Sequence, residues 1–178
     1  MDGEREILSL DAIADEPEVG RWLSAMEDAR RDTVKELEGV PDDAVDWLPG
    51  VGAGGLNSIG TLLYHIALVE ADWLLTDVLG PESGVPWPEK WLPYGDRDKD
   101  GRLTIVTGET VPQHLVRLRA VRELLLEHLR PMPLEEFHRL RSRERWEVTP
   151  AWVLHHLLQH EAEHRAHIAW LRDMRPKV

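Results

Sequence analysis

Thr149-Pro150-Ala151-Trp152-Val153-Leu154-His155-His156-Leu157-Leu158-Gln159-His160-Glu161-Ala162-Glu163-His164 is the stretch on which the fold turns. Thr149 is a good helix cap, Pro150 suits the first helical position, and Val153, Leu154, Leu157, Leu158, Ile168 and Leu171 make an apolar side. This pattern predicts a helix from Thr149 to about Asp173, ended by Pro176. At roughly 100° per residue, His160 and His164 lie about 40° apart and one turn from each other, on the flank of that apolar stripe. Both can reach one ion. Two neutral imidazoles at i and i+4 suit zinc, nickel or iron(II), but a pair is rarely enough, so a third ligand must come from a neighbouring helix.

Working outward, Asn57-Ser58-Ile59-Gly60-Thr61-Leu62-Leu63-Tyr64-His65-Ile66-Ala67-Leu68-Val69-Glu70-Ala71-Asp72-Trp73 is the next sharp pattern. Ile59, Leu62, Ile66, Val69 and Trp73 step by three and four, the mark of a buried helical stripe, with Asn57 or Ser58 as cap. His65 flanks this stripe beside Leu62 and Val69. Joined to His160 and His164 it would complete a triad with positions left open for water or substrate, the arrangement of a catalytic metal site.

Two more helices are predicted, over Glu18 to Leu37, with Trp22, Met26, Ala29 and Val34 at helical spacing, and from Thr110 to a stop at Pro131. The connector Asp42 to Leu56 is too rich in Gly and Pro to sustain a helix. Gly80 to Glu109 is a long loop containing Trp87 and Trp91, with room for a short strand at Leu103 to Val106, and a loop of that length is expected to cover something. Met132 to Val148 is a further connector. Four amphipathic helices without a convincing sheet predict an all-α protein, a four-helix bundle with long irregular connectors, forming one domain over residues 1–178.

Composition narrows the function. A formal charge of −12 repels phosphate backbones and anionic membranes, so neither nucleic acid nor membrane is an expected partner. With no cysteine, any thiol chemistry must come from a substrate. Met1 to Ser9 has no apolar leader segment, which makes a cytoplasmic location the expectation.

Glu161 falls near the centre of the apolar arc of its helix, and Glu70 occupies a similar place on the second. A carboxylate desolvated there has a raised pKa and is a candidate catalytic residue for moving protons. The alternative is an inward salt bridge with an arginine such as Arg165. His155 belongs to the surface, and His114, His128 and His138 read as solvated or helix-end histidines. His156 and His167 read as rim positions close to the His160 stripe. His160-Glu161-Ala162-Glu163-His164 formally matches the H-E-x-x-H pattern of zinc proteases, but only about 14 residues follow His164 and no edge strand is predicted to hold a peptide. Asp96-Arg97-Asp98-Lys99-Asp100-Gly101 matches the first half of a calcium loop. The position for the closing glutamate is Thr107, so an acidic surface turn is the better reading.

These residues resemble the DinB/YfiT-like superfamily of metalloenzymes. The segment Asn57-Ser58-Ile59-Gly60 leading to His65, Glu70 and Trp73 is similar to that family's pattern, as is the closing helix, where Ala166 stands in the place of the usual Gly. The resemblance implies an up-down-down-up four-helix bundle, often a homodimer, with a divalent metal, zinc or nickel foremost, on His65, His160 and His164. It singles out His65 as the third ligand. It further implies a small-molecule partner, a low-molecular-weight thiol such as mycothiol or bacillithiol, used in S-transfer or isomerisation. The rival readings are a non-catalytic metal or small-molecule binding bundle and a plain interaction module. In relatives an Arg often stands near the chain end, as Arg172 does here, where it can cap the helix.

Overall fold

The computed structural model describes residue 5, residues 7–50 and residues 56–176. Part of the Gly-rich connector, residues 51–55, lies outside the described residues. The chain is mostly helical, and four long helices carry it: α1 (Pro17–Glu36), α3 (Ile59–Asp72), α4 (Val111–Leu129) and α6 (Pro150–Met174). Between them lie α2 (Asp42–Val45), α5 (Leu134–His138) and an antiparallel hairpin of β1 (Arg141–Ser142) and β2 (Glu147–Val148). No helix among the described residues is long and apolar enough to cross a membrane.

The ends of the helices follow their local chemistry. Thr149 accepts a hydrogen bond from the N–H of Trp152, and Pro150 fills the first helical position, where its missing N–H costs nothing. Ser58 accepts from Thr61 in the same way at the start of α3. Thr110 and Gln113 form a reciprocal capping box at α4. Helix α1 has no side-chain cap and starts on Pro17, with Glu18 in its first turn and Lys35 in its last, each placed to favour the helix dipole.

Several expectations are corrected. The buried side of α1 runs through Leu23, Met26, Arg30 and Thr33, so Trp22 and Val34 sit at its margins. The second predicted helix does not stop at Trp73. It continues to Leu79 as a π-helix and ends at Gly80, whose φ of 80° suits glycine. Asp42 to Val45 form one helical turn inside the segment read as unable to hold a helix, because Ala44 and Val45 are buried and Val45 packs on Gly60 of α3. A Cβ at position 60 would lie 2.9 Å from Val45 Cγ1. The connector after Met132 holds α5 and the hairpin, pinned by the buried Phe137 and Val148. The strand expected at Leu103 to Val106 is reduced to a single bridge between Arg97 and Leu103.

Helix α1 packs on α6, and α3 packs on both α4 and α6, while α1 and α4 touch more sparsely. The core has two connected parts. One is centred on Leu62, Leu63, Ile66, Leu118 and Ile168, and the other on Leu23, Met26, Leu74, Leu125 and Leu154. The long loop after Gly80 is tied down on the first part. The Tyr64 hydroxyl donates to the carbonyl of Tyr94 and accepts from its N–H, both at 2.8 Å. Arg117 donates to the carbonyl of Trp91 at 2.7 Å, and the N–H of Val106 donates to Thr61 at 3.2 Å. These anchors carry the middle of the loop onto the side of α3 that bears His65.

Candidate metal centre

His65 projects from the middle of α3, and His160 and His164 from successive turns of α6. The three rings converge through one kind of atom. His160 Nε2 lies 3.1 Å from His65 Nε2 and 3.1 Å from His164 Nε2. All three ligand atoms fall within 4.8 Å of one another. His65 is buried and the other two are half-buried, so the cluster is sunk into the helices and open on one side.

The remaining ring nitrogens decide the protonation pattern. His65 Nδ1–H donates to Asp96 Oδ1 at 2.8 Å, which leaves Nε2 as a lone pair aimed at the cluster. Asp96 comes from the long loop, and its other oxygen pairs with Arg97. Burial depresses the pKa of all three imidazoles. His160 falls to about 3, first through burial and then through repulsion from His164 and His65. His164 falls to about 4 for the same kind of reasons. For His65 burial outweighs the opposing pull of Asp96. Near pH 7 the cluster is therefore a set of neutral nitrogens with converging lone pairs, the donor set that a borderline-soft divalent ion takes. His164 Nδ1 is buried without a hydrogen-bond partner, a cost that interaction of its Nε2 with a cation would help offset.

Glu70 and Glu161 are buried too, but they do not stand free. Arg30 on α1 donates from Nε to Glu161 at 2.6 Å and from Nη2 to Glu70 at 2.8 Å. Arg122 on α4 donates from Nε to Glu70 Oε1 at 2.7 Å and from Nη2 to Glu161 at 3.2 Å, and reaches Glu27 with Nη1. Each long helix thus gives one charge to a knot of two arginines and two glutamates. The expected rise in the pKa of Glu70 does not occur: burial pushes it up, but Arg122 and Arg30 pull it down further, so it is ionised. The inward ion pair was foreseen with the wrong arginine, because Arg165 pairs with Asp32 on α1 instead. Arg172 ties α6 to Glu36 at the end of α1.

The other histidines divide. His155 is exposed, as expected, and edges onto Trp22. His138 pairs with Glu18 at a helix end. His114 is the exception: it is 1% exposed, packed between Gly60 and Arg117, and held neutral by burial with a pKa of about 4. His167 is exposed beside His164. His156 is half-buried, stacked on Trp152 and one ring away from His160. In the acidic turn Asp98 accepts from the N–H groups of Asp100 and Arg102, so that carboxylate closes the turn on itself. Asp96, Arg30 and Arg122 were missed. A sequence signal existed for the arginines, since each interrupts an apolar stripe, but none marked Asp96 as the partner of His65.

A family model, MST: Mycothiol-S-transferase, matches residues 22–175, a span that includes the whole triad and the charged knot. The chain belongs to this family. The mycothiol-S-transferase family is DinB-like, which agrees with the resemblance read from the His65 segment and the closing helix. No curated protein matches the chain. Within the mycothiol-S-transferase match, His65, His160 and His164 are the one group of three His, Cys, Asp or Glu residues among the described residues positioned to share an ion.

Proposed function

We propose that this protein is a divalent-metal-dependent thiol S-transferase that uses mycothiol, with His65, His160 and His164 holding the metal through Nε2. The observation that carries the reading is the convergence of three neutral Nε2 atoms in a chain of this family that has no cysteine of its own. We further read the four long helices as a DinB-like bundle of up-down-down-up connectivity. A divalent ion bound there would supply a Lewis acid that lowers the pKa of a thiol brought to it.

The chain's own contribution is positional. Asp96 holds the His65 ring in the tautomer that exposes Nε2. The loop anchors at Tyr64 and Arg117 hold the backbone near Asp96 in register with α3. Glu70 and Glu161 are engaged by guanidinium groups, which supports a role in fixing α3 and α6 relative to each other over direct proton transfer. Glu161 directly follows His160, so its two arginines also restrain the backbone that presents that ring.

The test joins metal content to turnover. Untagged protein is expected to bind one equivalent of zinc or nickel and to consume mycothiol in the presence of an electrophile. His160→Ala is expected to lose both while remaining folded. Turnover without metal dependence would remove the metal from the mechanism, and metal binding without thiol consumption would leave a binding protein.

A further inference from the structure

Beside the triad lies an aromatic ladder that the proposed chemistry does not use. Trp73, the first residue of the π-helix, stacks on Trp146 of the hairpin, with ring centroids 5.3 Å apart and planes within 10°. His156 lies 4.6 Å from Trp73 and stacks on Trp152 at 5.3 Å, planes within 8°. His156 is in turn 6.0 Å from the ring of His160. Three elements, the π-helix, the hairpin and α6, therefore place their rings in a chain that runs from the triad to the surface. Its outer members are open: Trp146 is 42% and Trp152 49% exposed.

Apolar rings held this way cost free energy to leave in water. The Trp146 N–H is spent on Asp77 Oδ1 at 2.8 Å, which fixes the indole and leaves the rest of the ring to make contact only through its hydrocarbon faces and edges. The hairpin itself is held to the π-helix by Arg143, which donates to the carbonyl of Asp77 at 3.0 Å. Such a surface recognises a flat, unsaturated ring by stacking. A sugar would call for a fan of hydrogen-bonding groups around the rings, whereas Asp77, the carboxylate beside the ladder, already accepts from Trp146.

We propose that Trp73, Trp146, Trp152 and His156 form the subsite for the acceptor of the thiol, and that this acceptor is a planar aromatic or conjugated electrophile. The proposal rests on the transferase reading of the triad and adds the class of second substrate. For an aryl halide the balance is simple: the thiol sulfur forms a bond to the ring carbon, halide leaves with the bonding pair, and the thiol proton passes to solvent.

The experiment compares 1-chloro-2,4-dinitrobenzene with iodoacetamide, using mycothiol and the metal-loaded full chain. Trp152→Ala and Trp146→Ala truncate half-exposed side chains outside the triad. Each is expected to raise KM for the aryl halide about fivefold, with kcat nearly unchanged and iodoacetamide kinetics unaffected. Trp152→Phe should restore most of the loss. Equal effects on both electrophiles, or none on either, would overturn the subsite, as would a rise confined to the KM of mycothiol, which would place the sugar on the rings. Binding of unreactive 2,4-dinitroaniline, read as saturable quenching of tryptophan fluorescence, separates the two readings. If no electrophile is turned over, the transferase reading fails, while saturable quenching lost in Trp152→Ala still supports an aryl site. Quenching that is absent, or unchanged by the substitution, overturns that site.

Discussion

Helices α3 and α6 each bury two kinds of polar group, and treat them in opposite ways. Glu70 and Glu161 sit in the charged knot, where every guanidinium contact runs to a carboxylate or a backbone carbonyl. His65 and His160, on the same helices, point lone pairs at one another across 3.1 Å with no charge to answer them. The knot is complete as it stands. The triad is complete only with a cation. Adjacent positions on one scaffold therefore separate a structural task from a functional one: the paired charges hold the two helices, and the unpaired nitrogens are left over to bind.

Breaking the knot should do the greater damage. Arg122→Met leaves Glu70 and Glu161 buried with one arginine between them, and a loss of about 3–5 kcal/mol in urea unfolding is expected. A loss below about 1 kcal/mol would show that water reaches the knot and that its pairing is not what fixes α3 and α6.

The triad should respond through binding before stability. Asp96→Asn keeps the shape of the side chain but weakens its hold on the His65 N–H, and zinc affinity measured by chelator competition should fall about 10- to 100-fold. Unchanged affinity would mean that the loop contributes nothing to ring orientation.

Acid distinguishes the two regions in a third way. In the metal-free protein the folded pKa values of His160 and His164, about 3 and about 4, lie below the unfolded value near 6.5. The unfolded chain thus binds more protons between them, so stability is full above about pH 6.5 and declines as pH falls toward 4. His160→Ala should flatten this decline by at most one proton, about 1.4 kcal/mol per pH unit. Glu70, held below its usual range, adds its own loss only at lower pH, as the solution falls through its folded pKa. A slope identical in the variant would remove His160 from the linkage. The smallest effect belongs to His155→Ala on the exposed side of α6, expected to change stability by less than about 0.5 kcal/mol and metal binding not at all.

The elements with long periodic stripes were legible before any coordinates. Thr149 and Pro150 opened α6, Ser58 capped α3, and the i, i+4 pairing of His160 and His164 followed from helical geometry alone. The bounds of α1 and α4 were nearly right for the same reason. What escaped lacked a period. Asp96 reaches His65 from an irregular loop, and its position depends on Tyr64 and Arg117 holding that loop from a distance. Arg30 and Arg122 read as breaks in apolar stripes, since a pattern that counts hydrophobic residues has no way to register a charge neutralised by three other helices. Trp73 was read as an end because α and π turns share the same residues and differ only in which carbonyl each N–H finds. The short elements α2, α5 and the hairpin fell below the length at which periodicity carries information.

The knot also bears on how the chain reaches its final state. Its pairs join residues 131, 40, 52 and 39 positions apart, and no two of its four central members come from the same helix. An assembly of α3 and α4 alone joins Glu70 to Arg122 but leaves Arg30 and Glu161 to water, and a misdocked α6 buries a carboxylate without a guanidinium. Partial structures are thereby penalised more than they would be by apolar contacts, which accept approximate partners. The four charges act as an assembly check, making the arrival of the last helix a condition for the full value of the first three and sharpening unfolding toward an all-or-none transition.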